Sequence, residues 1–176
     1  MLNNSTLIGT SCSLIPLTVF DVSSKYVNWL NNLEINRYLE VRHSRVSIET
    51  QKSFVRKVLK SSTGVIFKIL TDENIFIGVV KLEIDLKTQS IEVGIMIGES
   101  NFHGKGIGSQ CLELIEKFAT LNNLFLLTAG VMSSNSASRN LFNKNGYVEV
   151  GTKPYLLEAP SADEYIIRFK KMLESK

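Results

Sequence analysis

The sequence predicts a mixed α/β (α+β) fold in a single domain over residues 1–176, with a mostly antiparallel sheet of about seven strands flanked by helices. Three observations lead there. Apolar residues at helical spacing dominate the first third of the chain, and β-branched segments separated by turn residues follow. A strand then enters a long helix through alternating glycines. The length suits one domain that buries about two-thirds of its unfolded surface. An apolar content of 44% and a charged content of 21% are ordinary for a globular chain.

Residues 12–17 read as a first strand ended near Pro16, and Asp21 opens a helical region. There Val22, Tyr26, Trp29, Leu30 and Leu33 recur at helical spacing until Asn31 and Asn32 break it. A second short helix is expected over residues 35–39. Ser47 is the expected N-cap of a third, with Phe54, Val55, Val58 and Leu59 as its buried face. Residues 65–70, 75–86 and 91–97 are rich in β-branched side chains and joined by TDEN and LKTQS, which makes an antiparallel meander. After the glycines, Ile107, Cys111, Leu114, Ile115 and Phe118 share one helix face, and Gln110, Glu113, Glu116 and Lys117 take the other. Strands over 124–131, 147–151 and 164–169 and a short helix over 136–144, closed by Asn145 and Gly146, complete the chain. A strand, the long helix and another strand in succession require a parallel crossover.

Composition narrows the function. A net charge of +3, spread among nearly balanced acids and bases, gives no basic face for nucleic acid. The start MLNNSTLIGTS has no cationic leader, and no segment approaches the roughly 18 apolar residues of a membrane span. A cytoplasmic protein with no membrane partner is expected. Cys12 and Cys111 lack a CxxC spacing and His43 and His103 match no metal signature, so reduced thiols and no metal follow. Cys111 falls on the apolar helix face, as a packed core thiol would.

The stretch EVGIMIGESNFHGKGIGSQ, residues 92–110, is a strand, a glycine loop and a helix start. Gly104, Gly106 and Gly108 let successive backbone N–H groups converge on one anion, and the helix adds unpaired donors and its positive dipole end. That arrangement binds a phosphate. A dinucleotide fingerprint fails because Ser109 stands where its last glycine belongs, and a Walker loop fails because Lys105 precedes Gly106.

About thirty residues later comes NSASRNLFNKNGY, running from Asn135 to Tyr147. Together the two segments resemble the GCN5-related N-acetyltransferase (GNAT) superfamily, which pairs a Q/R-x-x-G-x-G/A loop with an N-x-x-A/S-x-x-L/F-Y-x-x-x-G-F/Y segment. The pattern LIPLTVFDV…WLNNLEINRYL is similar to the RimJ/RimL-like branch. The resemblance implies that the anion is the pyrophosphate of acetyl-CoA, held by the backbone of His103, Gly104, Lys105, Gly106, Ile107, Gly108 and Ser109. His103 stands where the family usually has Gln or Arg. The resemblance further implies that residues 94–97 splay from the next strand and pair with the pantetheine arm through Ile95, Met96 and Ile97, while Asn135 caps its helix and hydrogen-bonds the same arm. Glu92 is the implied base for the amine. A backbone N–H near residues 95–97 meets the oxyanion, and Ser138 returns a proton to the thiolate. Most relatives have Tyr at the position of Phe142, which has no proton to give, so Tyr147 and Tyr155 are reserve donors.

The implied reaction is acetyl transfer to a primary amine by direct attack in a ternary complex, with an amino sugar, a protein N-terminus or another small amine as acceptor. The acceptor wall is expected from the first two helices, YLEVRHSR and KPYLLEAPSADEY, where Glu40, Arg42, His43 and Arg45 crowd one loop. That loop suits an anionic or sugar-linked ligand as well as a peptide N-terminus. A weakly positive chain is a poor match for a polyamine. Relatives often form homodimers, which the resemblance extends to this chain. The alternative is a non-catalytic acyl-CoA-binding or regulatory domain, for which Phe142 is the sequence support.

Overall fold

The meander strands carry apolar residues on both faces, so each face needs a cover. The computed structural model describes residues 2–155 and 164–174. Its strands are β1 (Leu7–Ile8), β2 (Cys12–Pro16), β3 (Gly64–Thr71), β4 (Phe76–Asp85), β5 (Ser90–Ile97), β6 (Leu126–Met132), β7 (Val148–Pro154) and β8 (Tyr165–Met172). The helices are α1 (Ser24–Asn31), α2 (Leu33–Asn36), α3 (Ile48–Lys60), α4 (Ile107–Leu121) and α5 (Ser136–Lys144). Short 3-10 turns lie at Val19–Asp21, Glu40–His43 and Ser100–Phe102.

One eight-stranded sheet runs β1-β2-β3-β4-β5-β6-β8-β7. Every neighbouring pair is antiparallel except β5 and β6, which are parallel and joined through α4. Seven strands match the expectation. The eighth, β1, is two residues long, too short to carry a periodic signal, and pairs with Leu14 and Ser13 of β2.

One face of the meander is closed by α1 and α3, where Tyr26, Trp29, Leu30, Val55 and Val58 meet Ile66, Val79 and Met96. The Tyr26, Trp29 and Phe76 rings pack at 5.1–6.1 Å between centroids, near-perpendicular or tilted as aromatic quadrupoles prefer. On the other face Ile107, Cys111, Leu114, Ile115 and Phe118 of α4 are buried against Phe67, Leu82 and Ile91, as their spacing predicts. Cys12 and Cys111 are free buried thiols with sulfurs 3.9 Å apart, so β2 brings together two residues that the sequence separates.

Ser47 caps α3, its Oγ accepting from Thr50 N at 3.1 Å. Two expected core positions of that helix are wrong. Phe54 and Leu59 are 40% and 44% exposed, and Gln51 turns inward to donate to the Tyr26 hydroxyl at 3.0 Å. Gln51, Val55 and Val58 define a narrower inward stripe, because α3 meets one sheet face along a single line. Gln110 of α4, expected outside, is also buried, its Oε1 accepting from Thr10 N at 2.9 Å and Thr10 Oγ1 at 2.6 Å. The second short helix is α2, ending at Asn36, and the chain reaches the Glu40–His43 turn instead of continuing to residue 39.

Gly98 lies directly beneath the Trp29 indole, and a Cβ there would stand 2.0 Å from Trp29 Cδ2. Gly98→Ala is therefore expected to push α1 off the sheet and cost about 1–3 kcal/mol, read as a lower urea midpoint at unchanged m.

Candidate active site

The site begins where two strands part. β5 and β6 pair only at Ser90↔Leu126, Ile91↔Leu127 and Glu92↔Thr128. Beyond that, β5 stays with β4 as far as Ile97, and β6 stays with β8 as far as Met132. The gap between them opens into a cleft of about 670 Å³. The Gly98 N–H donates to Ile77 O on β4, so by strand alternation the Ile95 and Ile97 backbone groups face the gap. Met96 does not fit the expected role: its backbone faces Val79 of β4 and its side chain packs under α1. A strand presents every second residue to one edge, so of the three expected residues two are available.

The loop at the cleft's floor is built by left-handed glycines. Gly104 and Gly106 have φ of 71° and 82°, and a Cβ at either would meet nothing within 4 Å, which leaves an open cradle in front of α4. Gly106 is the N-cap of α4, so the first-turn N–H groups from Ile107 onward point out of the helix towards the cleft. Gly108 serves packing instead, for its Cβ would lie 3.0 Å from Leu141 of α5. Ser109 lines the cleft and accepts from Asn145 Nδ2 at 3.0 Å, which leaves its own hydroxyl proton to give. His103 Nε2 bonds the Ile97 carbonyl at 2.9 Å and, since a carbonyl only accepts, is the donor. The ring thereby ties the loop to the end of β5. Lys105 does not line the cleft; its ammonium sits 5.5 Å over the Phe102 ring.

The opposite wall is α5. Asn135 Oδ1 caps it by accepting from Ser138 N at 3.1 Å, which leaves the Asn135 Nδ2 to donate into the cleft. Ser138 also lines the cleft, one turn into the helix. Phe142 is 5% exposed, stacked on Phe169 at 5.6 Å and edge-on to Tyr147 at 5.0 Å, so packing accounts for a phenyl ring there. The Tyr147 hydroxyl is buried away from the cleft, and burial, aided by the Glu116 charge, pushes its pKa well up. Tyr155 does line the cleft, with its hydroxyl 3.3 Å from His43 Nε2.

Glu92 stands at the apex where β5 and β6 diverge. Its carboxylate is held by Arg168 of β8, Nη1 to Oε1 at 2.7 Å and Nη2 to Oε2 at 2.5 Å, and accepts from Thr128 Oγ1 at 2.6 Å. Burial raises its pKa, but the hydrogen bonds from Arg168 and Thr128 and the charges of Arg168 and Lys153 outweigh that and hold the carboxyl below its ordinary value. It is not among the cleft-lining residues. Arg168 was missed in the sequence because nothing local in YIIRFKK links it to a strand 76 residues earlier.

Tyr38, Leu39, Glu40 and Tyr155 close the far end, so YLEVRHSR and the start of KPYLLEAPSADEY do reach the cleft, while residues 156–163 of the latter lie outside the described residues. Tyr38 was not singled out in the sequence; its hydroxyl donates to Ser134 O at 3.2 Å, bridging the first helices to the turn before α5.

A split parallel pair, an open glycine cradle at the following helix and a capped second helix across the gap frame one elongated cleft. Residues 13–148 match the acetyltransferase (GNAT) domain family, and the chain belongs to it. Over 98% of this chain and 94% of the relative, it is 26% identical to an N-acetyltransferase 9-like protein of Caenorhabditis elegans. It is 24% identical to alpha/beta-tubulin-N-acetyltransferase 9 of Homo sapiens, over 88% and 81% of the two chains. The fold is similar to that of spermidine N-acetyltransferase from Vibrio cholerae in complex with CoA and spermine (TM-score 0.82, 21% identity, 93% and 96% covered). It is likewise similar to RimL, the ribosomal L7/L12 alpha-N-protein acetyltransferase in complex with coenzyme A (TM-score 0.85, 15% identity, 96% and 98% covered).

Because the folded pKa of Glu92 lies below its unfolded value, the pair's stabilisation is present above about pH 4.3 and is lost as pH falls through the folded value. Arg168→Met is expected to flatten this acid limb, so that between neutral and acid pH the variant's urea midpoint falls less than that of the parent. Parallel acid limbs would count against the pair's contribution.

Proposed function

We propose that the protein is an acetyl-CoA-dependent N-acetyltransferase that acetylates a primary amine, on an amino sugar, a protein N-terminus or another small molecule, by direct attack in a ternary complex. One observation carries it: the unpaired edge of β5 at Ile95 and Ile97, the Gly104–Gly106 cradle and Ser138 line one continuous cleft. Acetyl-CoA supplies a thioester whose departing thiolate, of ordinary pKa about 8.5, is a tolerable leaving group.

Gly104, Gly106, Ile107, Gly108 and Ser109 bind the pyrophosphate through main-chain N–H groups and Ser109 adds its hydroxyl proton, whereas the expected His103 N–H is spent on Ser100 O at 2.9 Å and Lys105 lies off the cleft wall. Ile95, Ile97 and Asn135 align the pantetheine arm by strand-like and side-chain hydrogen bonds. A main-chain N–H at Ile95 or Ile97 is the oxyanion donor, rigid because both residues sit in a strand held by β4. Ser138 returns the proton to sulfur. Glu92, set back from the cleft wall with both oxygens held by Arg168 and Thr128, does not touch the acceptor; it takes the amine's proton through water, as a carboxylate of lowered pKa and so a weak base. Cys111, fully buried in the core, takes no part. The reaction suits a cytoplasmic setting, where acetyl-CoA is available and thiols stay reduced. The expected homodimer stays part of this reading, supported by β7, an edge strand exposed along its whole length.

The second reading is an acyl-CoA-binding domain without chemistry, favoured by Phe142 packed where relatives carry a hydroxyl. Release of free CoA thiol across a broad amine panel decides between them, and acetyl-CoA binding without release would favour the second. Ser138→Ala is expected to lower turnover by about 100-fold or more with little change in acetyl-CoA affinity, whereas Asn135→Ala weakens both. Unchanged turnover in Ser138→Ala removes its assignment, and parallel ping-pong lines, or loss of activity in a folded Cys111→Ala, overturn direct attack.

A further inference from the structure

The turn that joins β6 to α5 is held by a side chain that is not part of the cleft wall. Asn135 and Ser138 line the cleft from the start of α5, yet Phe142, near the other end, is the one buried residue of that helix. Packing therefore anchors the far end of α5, and its first turn needs another hold. The backbone supplies part of it: Ser133 N donates to Tyr165 O and Asn135 N to Met132 O, both at 2.8 Å. The rest comes from Glu164, at the entry to β8. Its Oε1 accepts from Ser133 Oγ at 2.5 Å and from Ser134 N at 2.9 Å, and its Oε2 from Ser134 Oγ at 2.6 Å.

A buried carboxylate is costly unless donors surround it, and these three donors all belong to one two-residue turn. Burial raises the Glu164 pKa, but the hydrogen bonds from Ser133 and Ser134 and the Arg42 charge outweigh it and hold the carboxyl below its ordinary value. The side chain is thus an ionised clamp on the turn. Asn135 is the next residue along the chain, and Ser138 follows one turn later with its N–H bonded to Asn135 Oδ1 at 3.1 Å. A shift of the turn moves both. Tyr38, which lines the cleft, donates to Ser134 O at 3.2 Å, and Arg139 Nη1 donates to Ser133 O at 3.4 Å. The same two serines therefore tie the first helices, β8 and α5 together.

We infer that Glu164 is a positioning residue for acetyl transfer, its carboxylate fixing the Ser133–Ser134 turn and thereby the place of Asn135 and Ser138 against the cleft. The inference rests on the acetyltransferase reading and adds to it a residue that touches neither substrate. Glu164 acts on the chemical step through Ser138, so its loss costs turnover only while the Ser138 hydroxyl is present. Through Asn135 it also costs some affinity for acetyl-CoA.

The test is a double-mutant cycle read by release of free CoA thiol, well below the unfolding midpoint of every variant. Its acceptor is the amine that the unaltered protein consumes fastest in a panel containing glucosamine, glycylglycine and spermidine. Glu164→Gln keeps the side-chain volume but replaces one accepting oxygen by a donor. It is expected to lower kcat by about tenfold and to raise the acetyl-CoA Kd by about threefold. In a Ser138→Ala background the same change is expected to lower kcat by less than about twofold. Ser134→Ala removes one of the three hydrogen bonds at an exposed residue and decides the matter if Glu164→Gln does not fold. It is expected to lower kcat by about threefold, again with little effect beside Ser138→Ala. Lowered stability with unchanged kcat marks a merely structural clamp and overturns the inference. Equal losses of kcat with and without the Ser138 hydroxyl also overturn it, and both results leave the acetyltransferase reading standing. Binding of acetyl-CoA with no thiol released across the panel overturns both.

Discussion

Everything at the site depends on a parallel pair that is broken early. β5 and β6 share three register positions and then each keeps only its outer neighbour, so the inner edge of β5 carries the N–H and C=O of Ile95 and the N–H of Ile97 with no strand to satisfy them, the Ile97 C=O being taken by His103. Main-chain groups left in this way in a partly enclosed gap demand hydrogen bonds from water or ligand, and an extended amide-bearing arm of the kind proposed above would provide them in the geometry of a missing strand. At the apex, Arg168 reaches from β8 across β6 to Glu92 on β5, and Thr128 joins them. The clasp joins three strands where two begin to part. Its path needs Gly130, where a Cβ would lie 2.8 Å from Arg168 Nη1.

The walls of the gap are tied to the rest of the molecule by single polar contacts at well-chosen points. His103 links the glycine loop back to the end of β5, and Glu164 gathers Ser133 and Ser134 just ahead of the cap at Asn135. Gly108 lets α4 and α5 approach, which sets the distance between cradle and cap. A ligand spanning the two therefore meets a preformed length, and little of its binding energy is spent on ordering the protein. The same economy explains the departures from the family pattern. Where relatives have Gln or Arg, His103 supports the loop through the strand; where they have Tyr, Phe142 fills the space beside Phe169 and Tyr147.

The order of elements, the antiparallel meander, the parallel crossover and the glycine cradle were legible in the chain because each rests on local physics: side-chain period, turn residues, caps and the freedom of glycine to take positive φ. Ser47 and Asn135 could be read as caps for the same reason. What failed locally was the width of a buried stripe. Phe54 and Leu59 look like core residues by composition, and only the line along which α3 meets the sheet leaves them outside. Met96 failed through alternation, since a run of three apolar residues does not say which one faces which neighbouring strand until the pairing is known.

By itself, then, the sequence determined the class of fold, the left-handed glycine turn at the start of α4 and the cap at Asn135 with Ser138 beside it, all set by interactions within a few positions along the chain. The tertiary structure alone decided that β8 inserts between β6 and β7, that β5 and β6 part after Glu92, that Arg168 holds that glutamate ionised, and that Arg42 lies beneath Tyr155 at the cleft's far end. These are contacts between residues dozens of positions apart. They depend on which strand edges meet and on what burial does to a charge, and neither is encoded in the spacing of neighbouring residues.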